Sequence, residues 1–188
     1  MIAARTSFSR RMLRWACRRL VFIDESGINL SHTRAEARAP RGERVVDYVP
    51  GGRWETYSII AGLRSTGVIA PMMIAGAMNT ASLLTWVEVV LAPSLKRGDI
   101  VVWDNLRIHS DPEVVRAIKA RGARLEFTPP YSPEFNPIEE AWSKMKSILR
   151  AAKARTVSDL LEFLDDALRA ISPADCRGWF RHAGYTVP

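Results

Sequence analysis

Three acidic residues lie where the sequence predicts the ends of core elements. Asp24 and Asp104 each follow a run of four apolar residues, 20–23 and 100–103, and Glu139 lies in the first turn of a later helix. Short continuous apolar runs are typical of buried central strands. If both strands end at the same side of the sheet, the three carboxylates meet there. Such a cluster would bind Mg²⁺, and two such ions promote phosphoryl transfer by activating the attacking oxygen and stabilising the leaving oxygen.

The periodicity of the later helix distinguishes two adjacent glutamates. Its apolar side chains fall within about 60° of one another on the helical wheel and define a buried stripe. These side chains are Ile138, Trp142, Met145 and Leu149. Glu139 lies beside the stripe, whereas Glu140 lies about 160° from its centre. We therefore expect Glu139 to face the acidic cluster and Glu140 to pair with Lys144, one helical turn further on.

The first strand ends in two neighbouring acidic residues, Asp24 and Glu25, and only one of them can join the cluster. Successive side chains of a strand point to opposite faces of the sheet. The residues alone do not decide between the two. A turn or helix-cap role also accounts for each acidic residue taken singly, so the cluster is predicted from the three carboxylates together.

The composition limits the possible classes of protein. A chain of 188 residues with 47% hydrophobic and 25% charged residues is long enough for one domain with a sizeable core. Two cysteines, Cys17 and Cys176, cannot form a disulfide framework, and the three scattered histidines lack the spacing of zinc ligands. The longest weakly polar stretch, 68–78, is about half as long as a membrane span. These features predict a cytoplasmic protein without a transmembrane helix or a zinc site.

Most of the net charge of +7 lies in the first 20 residues, which contain six arginines and no acidic residue. We interpret residues 1–19 as a basic, helical segment that precedes a domain formed by residues 20–188. Arginines that recur every four residues would share one helix face and could bind DNA phosphates. These arginines are Arg10, Arg14 and Arg18. A solvated basic helix is the alternative. A mitochondrial transit peptide is disfavoured because the segment runs without a linker into the apolar residues that follow.

Turn and capping signals divide the rest of the chain into strands and helices. A long loop over 29–52, which could include a small edge strand at 44–49, precedes a hairpin with strands at 57–63 and 68–74. A helix that Pro93 would stop comes next, followed by a strand, a helix, a strand and three helices. The last three helices begin at capping sequences that start with Asn136, Thr156 and Ser172. This order predicts an α/β fold with a mixed sheet and helices on both faces.

Three sequence blocks carry a resemblance to a known family. They are Val21-Phe22-Ile23-Asp24-Glu25-Ser26-Gly27; Val102-Trp103-Asp104-Asn105 with His109; and Pro129-Pro130-Tyr131-Ser132-Pro133-Glu134-Phe135-Asn136-Pro137-Ile138-Glu139 with Trp142. These blocks resemble the DDE transposases of the IS630/Tc1/mariner superfamily, most closely the bacterial IS630-type group. The third block is the most specific, because 34 residues separate its glutamate from Asp104. The resemblance covers residues 20–185. It implies a ribonuclease H-like fold whose catalytic metal ligands are Asp24, Asp104 and Glu139.

The resemblance also implies a function. The protein would cut DNA at transposon ends and join the cut end to target DNA, using two Mg²⁺ or Mn²⁺ ions. Asn105 and His109 match the family pattern and would support the metal site or contact phosphate, although a loop-capping Asn and a partly buried His explain them nearly as well. We expect the terminal inverted repeats and target DNA as partners, and a homodimer in the DNA complex, in the bacterial cytoplasm.

Two alternatives to an active transposase remain open. One is another ribonuclease H-like nuclease or integrase. The other is a truncated, inactive remnant that only binds DNA or a full-length transposase. Metal-dependent cleavage would distinguish the remnant from an enzyme.

The expected mode of DNA binding depends on what precedes and follows the acidic residues. Relatives place helix-turn-helix modules before the catalytic domain, and the 23 residues before Asp24 are too few for a tandem pair. Basic residues that follow Glu139 lie within about 40° of it on the helical wheel and could track a phosphate backbone, with a solvated face as the alternative. They are Lys146, Arg150 and Lys153. Because phosphate contacts carry no sequence information, we expect weak, salt-dependent binding with little preference for transposon ends.

Overall fold

A five-stranded mixed sheet forms the centre of the protein. The structure is a computed structural model that describes residues 2–34, 36–48, 50–52 and 54–188. The strands are β1 (Leu20–Asn29), β2 (Thr56–Arg64), β3 (Gly67–Ala75), β4 (Ile100–Trp103) and β5 (Arg124–Phe127). Their order across the sheet is β3-β2-β1-β4-β5, in which β1, β4 and β5 are parallel and β2 and β3 are antiparallel to their neighbours. The predicted α/β architecture and its hairpin are therefore confirmed.

Across the residues that the structure describes, seven α-helices pack around this sheet. They are α1 (Ile2–Met12), α2 (Thr80–Trp86), α3 (Ala92–Ser94), α4 (Pro112–Ala120), α5 (Ile138–Ala152), α6 (Val157–Arg169) and α7 (Pro173–His182). A π-helical turn, Val87–Leu91, joins α2 to α3, and short 3₁₀ helices span Cys17–Arg19, Arg107–Ser110 and Pro133–Phe135. Within the part of the chain that has been described, the helices are too short or too polar to cross a membrane.

The alternating side chains of β1 divide the interior into two cores. Leu20 and Phe22 point to one face, where α1, α5, α6 and α7 pack. Val21 and Ile23 point to the other face, where α2 and α4 pack. All four side chains are fully buried. Because successive side chains of a strand point to opposite faces of the sheet, the neighbours Asp24 and Glu25 further along β1 also point into different environments.

Strand β1 is longer than the apolar run predicted. It continues through Asp24 to Asn29, because its second half pairs antiparallel with β2, as in the pairing of Ser26 with Ile59. No strand forms over 44–48, and Val49, the last residue of the predicted edge strand, lies outside the described residues.

Two predictions of helix ends were wrong. Pro93 does not stop the helix, because the π-turn before it shifts the hydrogen-bond register and places Pro93 in the first turn of α3, where its missing N–H is not needed. Asn136 does not cap α5. The helix starts after Pro137, and the Asn136 Oδ1 atom is buried without a hydrogen-bond partner. By contrast, the predicted caps at Thr156 and Ser172 are present.

The N-terminal arginines do not share one helix face. Helix α1 ends at Met12, so Arg14 lies in the following turn and Arg18 in a 3₁₀ helix, and the predicted spacing of about four residues per turn no longer applies. The helix is nevertheless anchored. Phe8 is buried, and its ring packs against those of Trp15 and Phe135.

Candidate active site

Asp24 and Asp104 lie side by side at one end of the sheet. In the parallel pairing of β1 with β4, Phe22 is opposite Val102. Each aspartate lies two residues beyond this pair, which is the last pair of the two strands. Asp104 is the first residue after β4. The carboxyl ends of parallel strands are the usual place for a site in a sheet of this kind.

Helix α5 holds the Asp24 carboxylate. The helix packs on β1, and the indole Nε1 of Trp142 donates a hydrogen bond to Asp24 Oδ2 at 3.0 Å. Burial, followed by the nearby negative charges of Glu139 and Glu25, raises the pKa of Asp24 to about 7. Its carboxylate is therefore a confined negative charge beside two others, an arrangement that a cation would stabilise.

A buried histidine holds the Asp104 carboxylate. His109 Nδ1 lies 2.5 Å from Asp104 Oδ1, and His109 Nε2 lies 3.1 Å from Glu25 Oε1. The imidazole is fully buried and stacks on Trp103, with ring centroids 4.1 Å apart. Burial alone would lower the pKa of His109, but the hydrogen bonds and charges of Asp104 and Glu25 raise it to about 9.

The three predicted carboxylates line one cavity of about 430 Å³. Its other walls come from Asn105, Leu106 and the segment 128–133 with Asn136. Glu140 is absent from this lining. Its Oε1 atom lies 3.8 Å from His182 Nε2, outside the cavity.

The predicted ion pair between Glu140 and Lys144 does not form. Lys144 Nζ instead donates to Asp175 Oδ2 at 2.7 Å and to the Ala170 carbonyl at 2.8 Å. The reason is geometric, since α7 and the end of α6 approach Lys144 and offer it two acceptors in place of one flexible glutamate.

The proline-rich segment forms a rigid wall of the cavity. The Thr128 N–H donates to the Trp103 carbonyl at 2.9 Å, which ties the start of the segment to the end of β4. Tyr131 has a left-handed backbone, with φ of 53°, and its side chain is 90% exposed at the cavity. The prolines at 129, 130 and 133 restrict the backbone around it.

The donor set fits a divalent cation in chemistry. Mg²⁺ and Mn²⁺ prefer oxygen ligands, and three carboxylates line the same cavity. The side chains do not form a closed ligand set: among the residues the structure describes, no three His, Cys, Asp or Glu side chains are grouped closely enough to hold a metal ion. One reason is that Asp104 Oδ1 is bonded to His109, so only its second oxygen is available to a cation.

Comparison with known proteins identifies the family. The family model described as DDE superfamily endonuclease matches residues 19–161, well over half of the chain. The chain belongs to this family. A search of curated proteins found no match.

Solved structures show the same fold for this DDE domain. The Mos1 transposase paired-end complex with left transposon end matches with a TM-score of 0.74 and 16% identity, covering 96% of this chain and 57% of that one. The Mos1 mariner paired-end complex with Mn matches with a TM-score of 0.76 and 15% identity, covering 96% and 57%. The catalytic domain of Mos1 mariner transposase matches with a TM-score of 0.69 and 14% identity, covering 96% and 85%. The ribonuclease H-like fold is thus confirmed. The chain spans little more than half the length of the Mos1 chains in the DNA complexes.

The predicted basic residues of the DDE domain fall into two separate places. Lys146 and Arg150 lie along α5 beside His32, whose pKa is lowered by burial and by these two charges, while Lys153 pairs with Asp47 at 2.5 Å. The three N-terminal arginines, Arg10, Arg14 and Arg18, lie at the other end of the sheet. Arg14 and Arg18 line a groove of about 750 Å³ at the amino ends of β1, β4 and β5, and Arg10 lies in a neighbouring one.

Two contributors to the DDE site were missed from the sequence. Glu25 was left out of the site because strand alternation admits only one of the two neighbouring acids to the cluster and the resemblance selects Asp24. Glu25 does point to the opposite face, and there it reaches His109. Trp142 was assigned only to the core, although its Nε1 atom holds Asp24. For Glu25, the one available signal was indirect: His109, its partner, belongs to the Asp-Asn-x-x-x-His pattern that begins at Asp104.

Proposed function

We propose that this chain is the catalytic domain of an IS630/Tc1/mariner-type transposase that cuts DNA at transposon ends and joins them to target DNA. The observation that carries this proposal is the common cavity. Asp24 and Asp104 each follow the last pair of the parallel strands β1 and β4 by two residues, and both line the same cavity as Glu139 from α5. Membership of the DDE endonuclease family and the likeness to Mos1 complexes with transposon-end DNA and with Mn support it.

The three carboxylates would hold two divalent ions, Mg²⁺ or Mn²⁺. Bound there, the ions would lower the pKa of the attacking water and neutralise charge on the leaving oxygen. The chain's own residues fix the ligands. Trp142 orients Asp24 by a hydrogen bond, His109 orients Asp104, and helix α5 presents Glu139 from its first turn.

The reaction would be two successive in-line displacements at phosphorus. In the first, a water oxygen bonds to phosphorus while the bond to the 3′ oxygen breaks, which leaves a 3′ hydroxyl and a 5′ phosphate. In the second, that 3′ oxygen bonds to a target phosphorus and the target's own 3′ oxygen leaves with a proton. Each step breaks one P–O ester bond and forms one P–O bond to the incoming water or hydroxyl oxygen, whose proton is balanced by the proton on the leaving 3′ hydroxyl. No covalent protein–DNA bond is therefore needed.

DNA phosphates would contact two groups of cations. The first is half-buried: Lys146 and Arg150 lie on α5, and Lys153 follows its last residue in a left-handed conformation and would have to exchange its pairing with Asp47 for a phosphate. Asn105 lies in the cavity wall where a phosphate oxygen would enter. The second group, Arg10, Arg14 and Arg18, lies at the amino end of the sheet. We propose the terminal inverted repeats and target DNA as partners, bound by two copies of the chain.

Cleavage of labelled DNA tests the proposal. The substrate is a duplex carrying the inverted repeats that flank the coding sequence, offered with an unlabelled target plasmid in Mg²⁺ or Mn²⁺. We expect metal-dependent cuts that leave 3′ hydroxyls, followed by joining of label to the plasmid, and no product in EDTA. Product formation in EDTA, or a chain that cuts neither this duplex nor the plasmid in either metal, would overturn the proposal.

A further inference from the structure

We propose that Glu25 is a positioning residue, which acts through His109 to hold Asp104 with one carboxylate oxygen facing the metal-binding cavity. Nothing in the resemblance or the family comparison gives Glu25 a role. The inference rests on the proposed function, since it assumes that Asp104 is a metal ligand.

Asp104 needs such a constraint because of its place in the chain. It follows the last residue of β4, so the strand ladder does not fix its backbone, and its side chain is 43% exposed. Two groups restrain its Oδ1 atom: the Leu106 N–H donates to it at 3.4 Å, and His109 Nδ1 lies 2.5 Å from it. The contact with His109 is the shorter and therefore the stronger restraint, and it leaves Oδ2 for a cation.

His109 can fix Asp104 because it is itself fixed. The ring is fully buried and lies flat against Trp103, with 18° between the ring planes, and Trp103 in turn packs edge-on against Trp86. The backbone is held as well, because the His109 N–H donates to the Leu106 carbonyl at 3.1 Å. Nε2 faces Glu25 Oε1 at 3.1 Å, and Nδ1 faces both the Asp104 carbonyl at 3.3 Å and Asp104 Oδ1 at 2.5 Å, so rotation of the ring would break contacts at both nitrogens.

Glu25 supplies the second anchor of the ring from the sheet itself. It lies in the middle of β1, paired with Ile60 on β2, and its Oε1 atom is 3.1 Å from His109 Nε2. Its neighbour Asp24 points to the opposite face, where it meets Trp142. Strand β1 thus contributes to the site from both of its faces. On one face Asp24 lines the cavity itself, and on the other Glu25 contacts His109, which contacts Asp104.

Manganese binding by the full chain tests this path without relying on DNA cleavage. The dissociation constant for Mn²⁺, measured by electron paramagnetic resonance of the free ion, should rise about tenfold in Glu25→Ala and in His109→Ala, the range expected when an outer partner of a metal ligand is lost. Glu25→Gln keeps an oxygen acceptor and should recover most of the affinity. The double variant Glu25→Ala/His109→Ala should bind no more weakly than His109→Ala, because Glu25 acts only through the ring.

Controls separate this inference from the proposed function and from loss of folding. Asp104→Ala should bind Mn²⁺ more weakly than either positioning variant, and Glu140→Ala should bind like the unaltered chain. Unaltered binding by Asp104→Ala would overturn the metal site itself. Weak binding by Asp104→Ala together with normal binding by folded Glu25→Ala and Glu25→Gln would overturn only the role of Glu25, as would additive losses in the double variant. Thermal unfolding identifies folded variants, and the isosteric Glu25→Gln keeps the test valid if Glu25→Ala fails to fold.

Discussion

The two ends of the sheet have opposite charge and opposite construction. At the carboxyl end, Asp24 and Asp104 are each held by a hydrogen bond from a ring that belongs to the core, Trp142 and His109. At the amino end, Arg14, Arg18 and Arg19 are exposed around a wide groove and have no ion-pair partner within the described ranges of the chain.

Under the proposed function, the difference would correspond to two kinds of interaction with DNA. Bond-making at phosphorus requires ligands in one geometry, so the acidic end must be rigid. Contacts to a phosphate backbone depend mainly on charge and tolerate many geometries, so flexible arginines suffice at the basic end. Two acidic residues also line the basic groove, and both are paired: Asp99 is buried and lies 2.6 Å from Arg64, and Glu126 lies 3.6 Å from Arg124 and 3.9 Å from Arg11.

Replacing Trp142 should have the largest effect on stability, because this side chain belongs both to the acidic end and to the core. Trp142→Ala should lower the free energy of unfolding by about 3–5 kcal/mol, as deletion of a buried tryptophan does. Trp142→Phe keeps most of the packing but removes the donor to Asp24. We expect it to fold and to cleave DNA more slowly. Urea unfolding and cleavage rates check both, and a Trp142→Phe variant with full activity would show that the hydrogen bond to Asp24 is dispensable.

Neutralising Asp24 should stabilise the metal-free protein. Its folded-state pKa of about 7 lies above the ordinary value of 3.8, so the folded state binds the proton more tightly and stability falls as pH rises between these values. Asp24→Asn removes the penalty. In EDTA at pH 8 we expect it to be more stable than the unaltered chain by up to about 4 kcal/mol, since the pKa is raised by about three units and each unit corresponds to roughly 1.4 kcal/mol, and the gain should shrink at pH 5.

Urea titrations at the two pH values measure this gain. Asp47→Asn is a matched control, because Asp47 is a surface aspartate whose pKa is lowered by its hydrogen bond to Lys153, so its replacement should not stabilise the chain. Equal stability of Asp24→Asn and the unaltered chain at pH 8 would show that burial and the neighbouring negative charges do not destabilise the ionised Asp24 carboxylate.

Removing arginines from the basic end should have the smallest effect. Arg14→Ala and Arg18→Ala should each reduce the slope of log K against log salt by about 0.9, the value for one phosphate contact on duplex DNA. Arg181→Ala, an exposed arginine at the end of α7, is the control and should leave the slope unchanged. We also expect transposon-end and random duplexes to bind alike. A preference for the ends of about a thousandfold, typical of specific binding, would contradict a purely electrostatic role.

The acidic end was more predictable from the sequence than the basic end, for a physical reason. Burial leaves a periodic pattern of apolar residues, and this pattern predicted the strands before Asp24 and Asp104. The apolar stripe on α5 likewise predicted that Glu139 and Glu140 lie on different sides of the helix. The arginine face assumed that a helix continues through Arg18, but α1 ends at Met12.

The remaining differences depend on contacts between distant segments. The extension of β1 past Asp24 requires pairing with β2, and the link from Glu25 to His109 joins residues 84 positions apart. The side chain of Asn136 lies at the cavity rather than at the helix start, although its local sequence matches a capping box. Local patterns carry no information on which distant groups approach a side chain, so these features could not be derived from them.

The most direct test of the central claim compares neighbouring glutamates on α5. Cleavage rates of the same DNA in Mn²⁺ are measured for Glu139→Gln and Glu140→Gln, two variants of equal size and charge change one residue apart. We predict a loss of at least about a hundredfold for Glu139→Gln, as for other groups that stabilise charge in the transition state, and a nearly unchanged rate for Glu140→Gln. Equal losses in both variants, or an active Glu139→Gln, would contradict the assignment of Asp24, Asp104 and Glu139 as the catalytic carboxylates.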